Sequence, residues 1–252
     1  MSPLPALLAA LLALVLIPAG PARASEPACG APAEALEASA PLPGVFAALA
    51  NTELRILVVG SASTQSGGTS SPAATWPERL KAHLGAAIRP VSVKVEVFGG
   101  RGTTAADHAA ILAAKAAEVR PHLVIWQLGT VEAARGLPSE VMAETVQQAV
   151  ARLGATRGER TDVLLMDQQF SRFLRGNADV DLYRDALRVA AAASGAQLFS
   201  RWAIMRHWVE ADILDLERAP RRQRVEVADR LHDCLAQALA AYILDGANRG
   251  RR

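Results

Sequence analysis

Five short runs of branched apolar residues, each followed by a longer stretch with helical periodicity, constrain this chain more than any other feature. The runs lie at residues 54–59, 91–98, 123–128, 163–166 and 196–199. Buried parallel strands read as near-continuous apolar segments because both of their faces are covered, and the intervening helices supply the cover. The pattern predicts one three-layer α/β/α domain around a five-stranded, mainly parallel sheet. In the second run Val93, Val95 and Val97 alternate with Lys94 and Glu96, so one of its faces is expected to be less covered and the strand to lie at an edge.

The helical stretches carry their own punctuation. Thr75-Trp76-Pro77-Glu78 has capping-box spacing with a proline in the first turn, where the missing N–H costs nothing. Met142, Val146, Ala149, Val150 and Leu153 share one helical face, and Gly154 stands where a left-handed residue would end that helix. Gly195 has the same place after Leu187 and Ala190. The Ala- and Pro-rich stretch 27–43 reads as an arm laid over the domain.

At the N-terminus an apolar run from Leu4 to Ile17 leads to Ala22-Arg23-Ala24, the small-x-small pattern of a signal-peptide cleavage site. The run is shorter than the ~20 apolar residues that span a bilayer, although no Lys or Arg precedes it and an uncleaved anchor is the competing reading. The expected organisation is a signal peptide over 1–24 with cleavage after Ala24, an arm over 25–50, one domain over 51–246 and a basic tail over 247–252, in a periplasmic or secreted protein without a stable membrane span. Export places the two cysteines, Cys29 and Cys234, where disulfides persist, and they are expected to pair. Of 27 Lys and Arg only Arg23 leaves with the leader, so the remainder nearly balances 25 Asp and Glu, which argues against a nucleic-acid partner. The basic residues Arg218, Arg221, Arg222 and Arg224 form a cluster that reads as solvated surface or as a site for an anionic glycan or lipid headgroup.

In an open parallel sheet ligands bind beyond the carboxyl ends of the strands. There the sequence has Gly60-Ser61-Ala62-Ser63-Thr64 after the first run, Gly99-Gly100-Arg101-Gly102-Thr103-Thr104 after the second and Gly129-Thr130-Val131-Glu132 after the third, with Asp229-Arg230-Leu231-His232 in the last helix. In this order the four segments resemble the blocks of the SGNH/GDSL ester hydrolases: Gly-Asp-Ser-Leu, a glycine-bearing turn, Gly-x-Asn-Asp and Asp-x-x-His. The resemblance covers nearly all of the chain beyond the leader. It implies the flavodoxin-like SGNH hydrolase fold and serine acyl transfer, with Asp229 orienting the base His232 and the Gly102 backbone N–H in the oxyanion hole. It also places Ala62 on the nucleophile and Val131 on the oxyanion Asn. Ser61 and Ser63 are then the substitute nucleophiles, if the turn is shifted by a residue.

Two functions follow from the resemblance: an exported hydrolase of carboxylic (acyl or O-acetyl) esters with impaired activity, or an inactive member that binds a cell-envelope glycan or acyl ligand. A flavodoxin-like cofactor binder is a weaker third, since no phosphate-cradling glycine loop with a P-loop lysine is present. The partner is expected to be a small-molecule, glycan or acyl-ester ligand, with no cofactor. His83, His108, His122 and His207 lack metal-ligand spacing, so no metal is expected and each reads as an ordinary surface or semi-buried residue. Trp126, Trp202 and Trp208 read as core.

Overall fold

A computed structural model describes residues 28–154 and 160–250; the signal peptide expected over 1–24 lies outside them. The five strands are β1 (Glu53–Gly60), β2 (Ser92–Gly99), β3 (Leu123–Gln127), β4 (Asp162–Met166) and β5 (Gln197–Phe199). They form one parallel sheet in the order β2-β1-β3-β4-β5, with Val58 opposite both Val97 and Ile125. β2 is an edge strand, and exposed Lys94 pairs across it with Glu53.

Strand pleating sends alternate residues to opposite faces. Leu54, Ile56, Val58, Ile125, Leu164 and Phe199 therefore join one core cluster, while Leu57, Val59, Val124, Trp126 and Leu165 join the other. The first face is covered by α1 (Pro43–Leu49), α2 (Trp76–Ala87) and the 26-residue α9 (Arg224–Arg249). The second is covered by α3 (Ala105–Val119), α5 (Ser139–Gly154) and α7 (Val180–Ser194). Three shorter helices, α4 (Thr130–Arg135), α6 (Arg172–Asn177) and α8 (Arg201–Glu210), lie near the carboxyl ends of β3, β4 and β5. The arm is not merely draped over this body: Leu42, Val45 and Ala48 are buried in the first core. Among the described residues no helix is long and apolar enough to cross a membrane.

Gly195 ends α7 in the left-handed conformation expected of it. Gly154 is the last residue of α5 but has no left-handed φ. The capping box at Thr75 does not form, because the Thr75 hydroxyl donates to the Pro72 carbonyl at 2.7 Å instead of accepting from the helix. A capping box exists at Thr104 and Asp107, at the start of α3. Cys29 and Cys234 are disulfide-bonded, joining the arm to α9.

β1 is the switch point of the sheet, since it neighbours both β2 and β3, and its chain end lies against that of β2. Their close approach depends on Gly99, whose φ of +108° and whose position over Gly60 leave no room for a Cβ, which would overlap the Gly60 carbonyl oxygen. Gly99→Ala is expected to destabilise the fold by at least ~2 kcal/mol through backbone strain and displacement of the β1 turn. Urea denaturation of the variant checks this, and an unchanged midpoint would show that the β1–β2 contact yields easily.

Candidate active-site cleft

The turn after β1 is held by its own Thr64 and by Gln127 from β3. Thr64 donates its hydroxyl to the Ser61 carbonyl at 2.7 Å, tightening the turn around Ala62. Gln127, the last residue of β3, donates from Nε2 to Ser61 Oγ at 2.9 Å and accepts from the Ser63 hydroxyl at Oε1, 2.8 Å. Ser63 Oγ in turn accepts from Arg201 Nη1 at 3.2 Å. The two serines named as substitute nucleophiles are thus brought together, but by Gln127 and not by a histidine base.

His232 reaches the same cleft from α9 and is buried. Its Nδ1 accepts the Trp76 backbone N–H at 3.0 Å. That N–H is one of the orphan donors that begin any α-helix, here at the start of α2. An Nδ1 that accepts cannot carry the proton, so the neutral ring holds it on Nε2. Gly67, at φ +52°, lies against that nitrogen so closely that a Cβ built on it would fall 2.5 Å from Nε2. Burial, aided by the Arg201 charge and opposed by Asp229, depresses the His232 pKa to about 4.

Asp229 is turned elsewhere, with its carboxylate accepting from the Ser70 N–H at 2.8 Å and the Ser70 hydroxyl at 2.5 Å. Burial alone would raise the Asp229 carboxyl, but the two Ser70 donors outweigh it and hold the group below its ordinary range. The expected pairing, in which Asp229 fixes the His232 tautomer, is therefore corrected. A triad base donates Nδ1–H to its carboxylate and offers a bare Nε2 to the nucleophile. Here the Trp76 N–H selects the opposite tautomer.

Gly102 lies half-buried beyond β2 with φ +79°, facing the Arg135 guanidinium. Val131 is half-buried in the first turn of α4. Buried Glu132 accepts the Ala105 N–H at 2.6 Å and the Gly129 N–H at 3.1 Å, which ties the start of α3 to the turn after β3. The reading of the four remaining histidines as surface or semi-buried holds for His83 and His207, which are half-buried, and needs correction at His108 and His122. His108 is buried, accepts from Trp126 Nε1–H at 3.1 Å through Nδ1 and meets Thr103 Oγ1 at 2.8 Å, with burial lowering its pKa to about 4. His122 is buried at the opposite end of the sheet, accepting the Arg55 N–H at 3.0 Å. His83 pairs with Asp233 at 2.9 Å and His207 meets the Gly30 carbonyl at 3.1 Å. Trp126, Trp202 and Trp208 are core residues. Among the described residues, no three His, Cys, Asp or Glu are grouped to hold a metal.

Sequence reasoning missed a buried polar set behind the cleft. Asp167 and Gln168 follow β4, and Ser200 and Arg201 follow β5; the rule that drew attention to the ends of the first three strands applies equally to these two. Asp167 accepts the Trp202 N–H and the Ser200 hydroxyl, each at 2.9 Å, while burial raises its carboxyl above the usual range. The Arg201 guanidinium donates to the Asp167 carbonyl at 3.2 Å and to Thr130 Oγ1 at 3.4 Å as well as to Ser63. Burial pulls its pKa down to about 10 against the opposing field of Asp167. The side-chain N and O of Gln168 are buried without partners. In front of this set lies a cavity of about 260 Å³ lined by Ala62, Ser63, His232, Asp215 and Glu217 together with the apolar Phe170, Met205 and Leu231.

A five-stranded parallel sheet in this order, with a β1 turn and a late-helix histidine meeting in one cleft, defines an SGNH-type α/β/α protein. More particularly, the chain belongs to the Non-GDSL lipase-like family, whose family model matches residues 28–249. Solved structures with the same fold include a two-domain esterase, CEX, active on acetylated mannans (TM-score 0.59, 20% identity, covering 81% of this chain and 52% of that one). A catalytic mutant of Axe2, an acetylxylan esterase from Geobacillus stearothermophilus, superposes with TM-score 0.58 at 17% identity, covering 75% of this chain and 94% of that one. The psychrotrophic esterase EstA from Pseudoalteromonas sp. gives TM-score 0.53 at 15% identity, with 73% and 98% coverage. No curated sequence matches the chain.

Proposed function

We propose that this is an exported protein of SGNH ester-hydrolase descent whose cleft binds a ligand bearing an acyl or O-acetyl group, with hydrolysis lost or greatly reduced. The observation that carries the reading is the Trp76 N–H on His232 Nδ1. It adds a mis-set base to Ala62 at the nucleophile position and Val131 at the oxyanion position. Loss of one oxyanion donor costs about 10²–10³ in rate and loss of a triad nucleophile about 10⁶. The apolar walls of the cleft favour an acyl group as the bound part. Export rests on the leader sequence, with which the disulfide is consistent, since such bonds persist in oxidising compartments.

Purified protein is expected to hydrolyse a short-chain aryl ester no faster than its His232→Ala variant. Ala62→Ser combined with Val131→Asn is expected to restore little, because Trp76 still occupies Nδ1. Turnover in the parent that disappears with His232→Ala would instead make this a working esterase that uses Ser61 or Ser63. Binding is read separately, by calorimetric titration with methyl hexanoate.

A further inference from the structure

His232 brings one uncommitted hydrogen-bond donor to the cleft. The ring is 5% exposed and lines the cavity together with Ala62, Ser63 and Gly67. The Trp76 N–H takes Nδ1, so the neutral ring carries its hydrogen on Nε2. Burial and the Arg201 charge keep it neutral, with a pKa of about 4. A donor withdrawn from water without a partner is destabilising, and among the described residues Nε2–H meets no acceptor. Ala62 has no side-chain oxygen to offer. Ser63 Oγ already donates to Gln127 and accepts from Arg201.

Gly67 keeps this nitrogen open. A Cβ there would fall 2.5 Å from Nε2 and 3.3 Å from the Ser63 Cα, so glycine leaves beside Nε2 a space that any other residue would fill. The charge of the lining points to what enters that space. The cavity is lined by two carboxylates, Asp215 and Glu217, and by no cation. Both carboxylates are engaged by other donors: Asp215 accepts from the Arg172 guanidinium at 2.7 Å and the Arg218 N–H at 3.1 Å, and Glu217 from the Ser171 hydroxyl at 2.7 Å and the Arg172 N–H at 2.9 Å. An incoming anion meets like charge with no cation of the lining to answer it, and an incoming cation meets carboxylates already paired. An uncharged acceptor suits the site on both counts. The volume of about 260 Å³ equals some eight or nine waters at ~30 Å³ each, which is room for a short ester against Phe170, Met205 and Leu231.

We propose that the cleft holds an uncharged carboxylic ester intact, its acyl carbonyl oxygen accepting from His232 Nε2–H through the gap at Gly67 and its chain lying on Phe170, Met205 and Leu231. The inference rests on the cleft being an acyl-binding site and adds the atom that is recognised and the residue that recognises it. It gives the histidine the reverse of a base's role: a ring that lends its Nε2 hydrogen to a carbonyl has no lone pair there to take a proton from a nucleophile.

Infrared spectra of methyl hexanoate labelled with carbon-13 at the carbonyl, bound to the disulfide-intact protein, test the contact alongside calorimetric titration. The bound carbonyl band is expected at lower frequency in the parent than in two variants. Gly67→Ala places a methyl group over Nε2; His232→Asn keeps an amide oxygen for the Trp76 N–H but has no donor at the Nε2 position. Each is expected to weaken methyl hexanoate about 3–10-fold, the worth of one neutral hydrogen bond. Hexanoate is expected to bind the parent more weakly than the ester by at least the same factor. Where a variant does not fold, the nitrogen-15 spectrum of the parent carries the test: His232 is expected as the Nε2–H tautomer, with that nitrogen shifting when methyl hexanoate is added. An Nδ1–H tautomer, an Nε2 that does not respond, a carbonyl band of the same frequency in parent and variants, or hexanoate binding as tightly as the ester overturns the assignment while leaving the cleft as an acyl-binding site. Absence of binding by both compounds overturns both readings.

Discussion

As the pH falls from 6.5 towards 4, the protein is expected to lose roughly 3 kcal/mol of stability for each of two buried histidines, His108 and His232. Both have folded-state pKa values of about 4 against an ordinary 6.5, chiefly through burial. Each ring is also committed as an acceptor, His108 Nδ1 to the Trp126 indole and His232 Nδ1 to the Trp76 backbone, and a proton on that nitrogen would end the bond. The unfolded chain takes up a proton at each site below pH 6.5 while the folded one does not. Stability is therefore fully present above pH 6.5 and falls as the pH drops through the interval to about 4, by about 1.4 kcal/mol per pKa unit for each ring. Asp162 and Asp167, whose carboxyls burial raises, act in the opposite direction, favouring the fold as the pH falls, and so make the total slope shallower. The histidine part is isolated by comparing slopes: urea midpoints of the parent, His108→Gln and His232→Gln between pH 7 and 4.5 are expected to converge as the pH drops. Parallel curves would mean that the rings gain protons in the folded state as easily as in the unfolded one.

Much of the sheet was legible because parallel strands covered on both sides are written as apolar runs, and all five expected runs lie within a residue or two of the observed strands. Lys94 and Glu96 disclosed the edge for the same reason, since an alternating strand has one poorly covered face. The site was legible only in part. Glycines mark the ends of β1, β2 and β3, where backbones approach closely, as Gly99 does with Gly60. No glycine marks the ends of β4 and β5, and there Asp167, Gln168 and Arg201 were passed over although they supply the buried polar set behind the cleft. Local spacing also misled at both ends of one hydrogen bond. Thr75 and Glu78 have the spacing of a capping box, and Asp229 and His232 that of an acid–base pair, yet the Trp76 N–H and the His232 ring, 156 residues apart, satisfy each other. Spacing of three shows which side chains share a helical face. It does not show which partner each takes from elsewhere in the chain.

The disulfide joins the site to the stability of the whole domain, and its removal is expected to cost about 5 kcal/mol. Cys29 and Cys234 are 205 residues apart, so the bond closes nearly the whole described chain into a loop and withholds the corresponding entropy from the unfolded state. In a domain of this size ~1 kcal/mol moves the melting temperature by about 2–4 °C, so Cys29→Ser with Cys234→Ser is expected to lower it by about 10–20 °C. The effect should extend to the cleft, because Cys234, buried in the first core, lies two residues beyond the buried His232 on α9. Thermal melts with and without reductant, alongside the double serine variant, make the comparison. A drop of only a degree or two would mean that the bond merely fastens the first residues of the arm, and that Leu42, Val45 and Ala48 hold the rest of it in the core unaided. A drop of the expected size, accompanied by weaker binding of methyl hexanoate, would mean that the arm and the His232 end of α9 unfold as one unit.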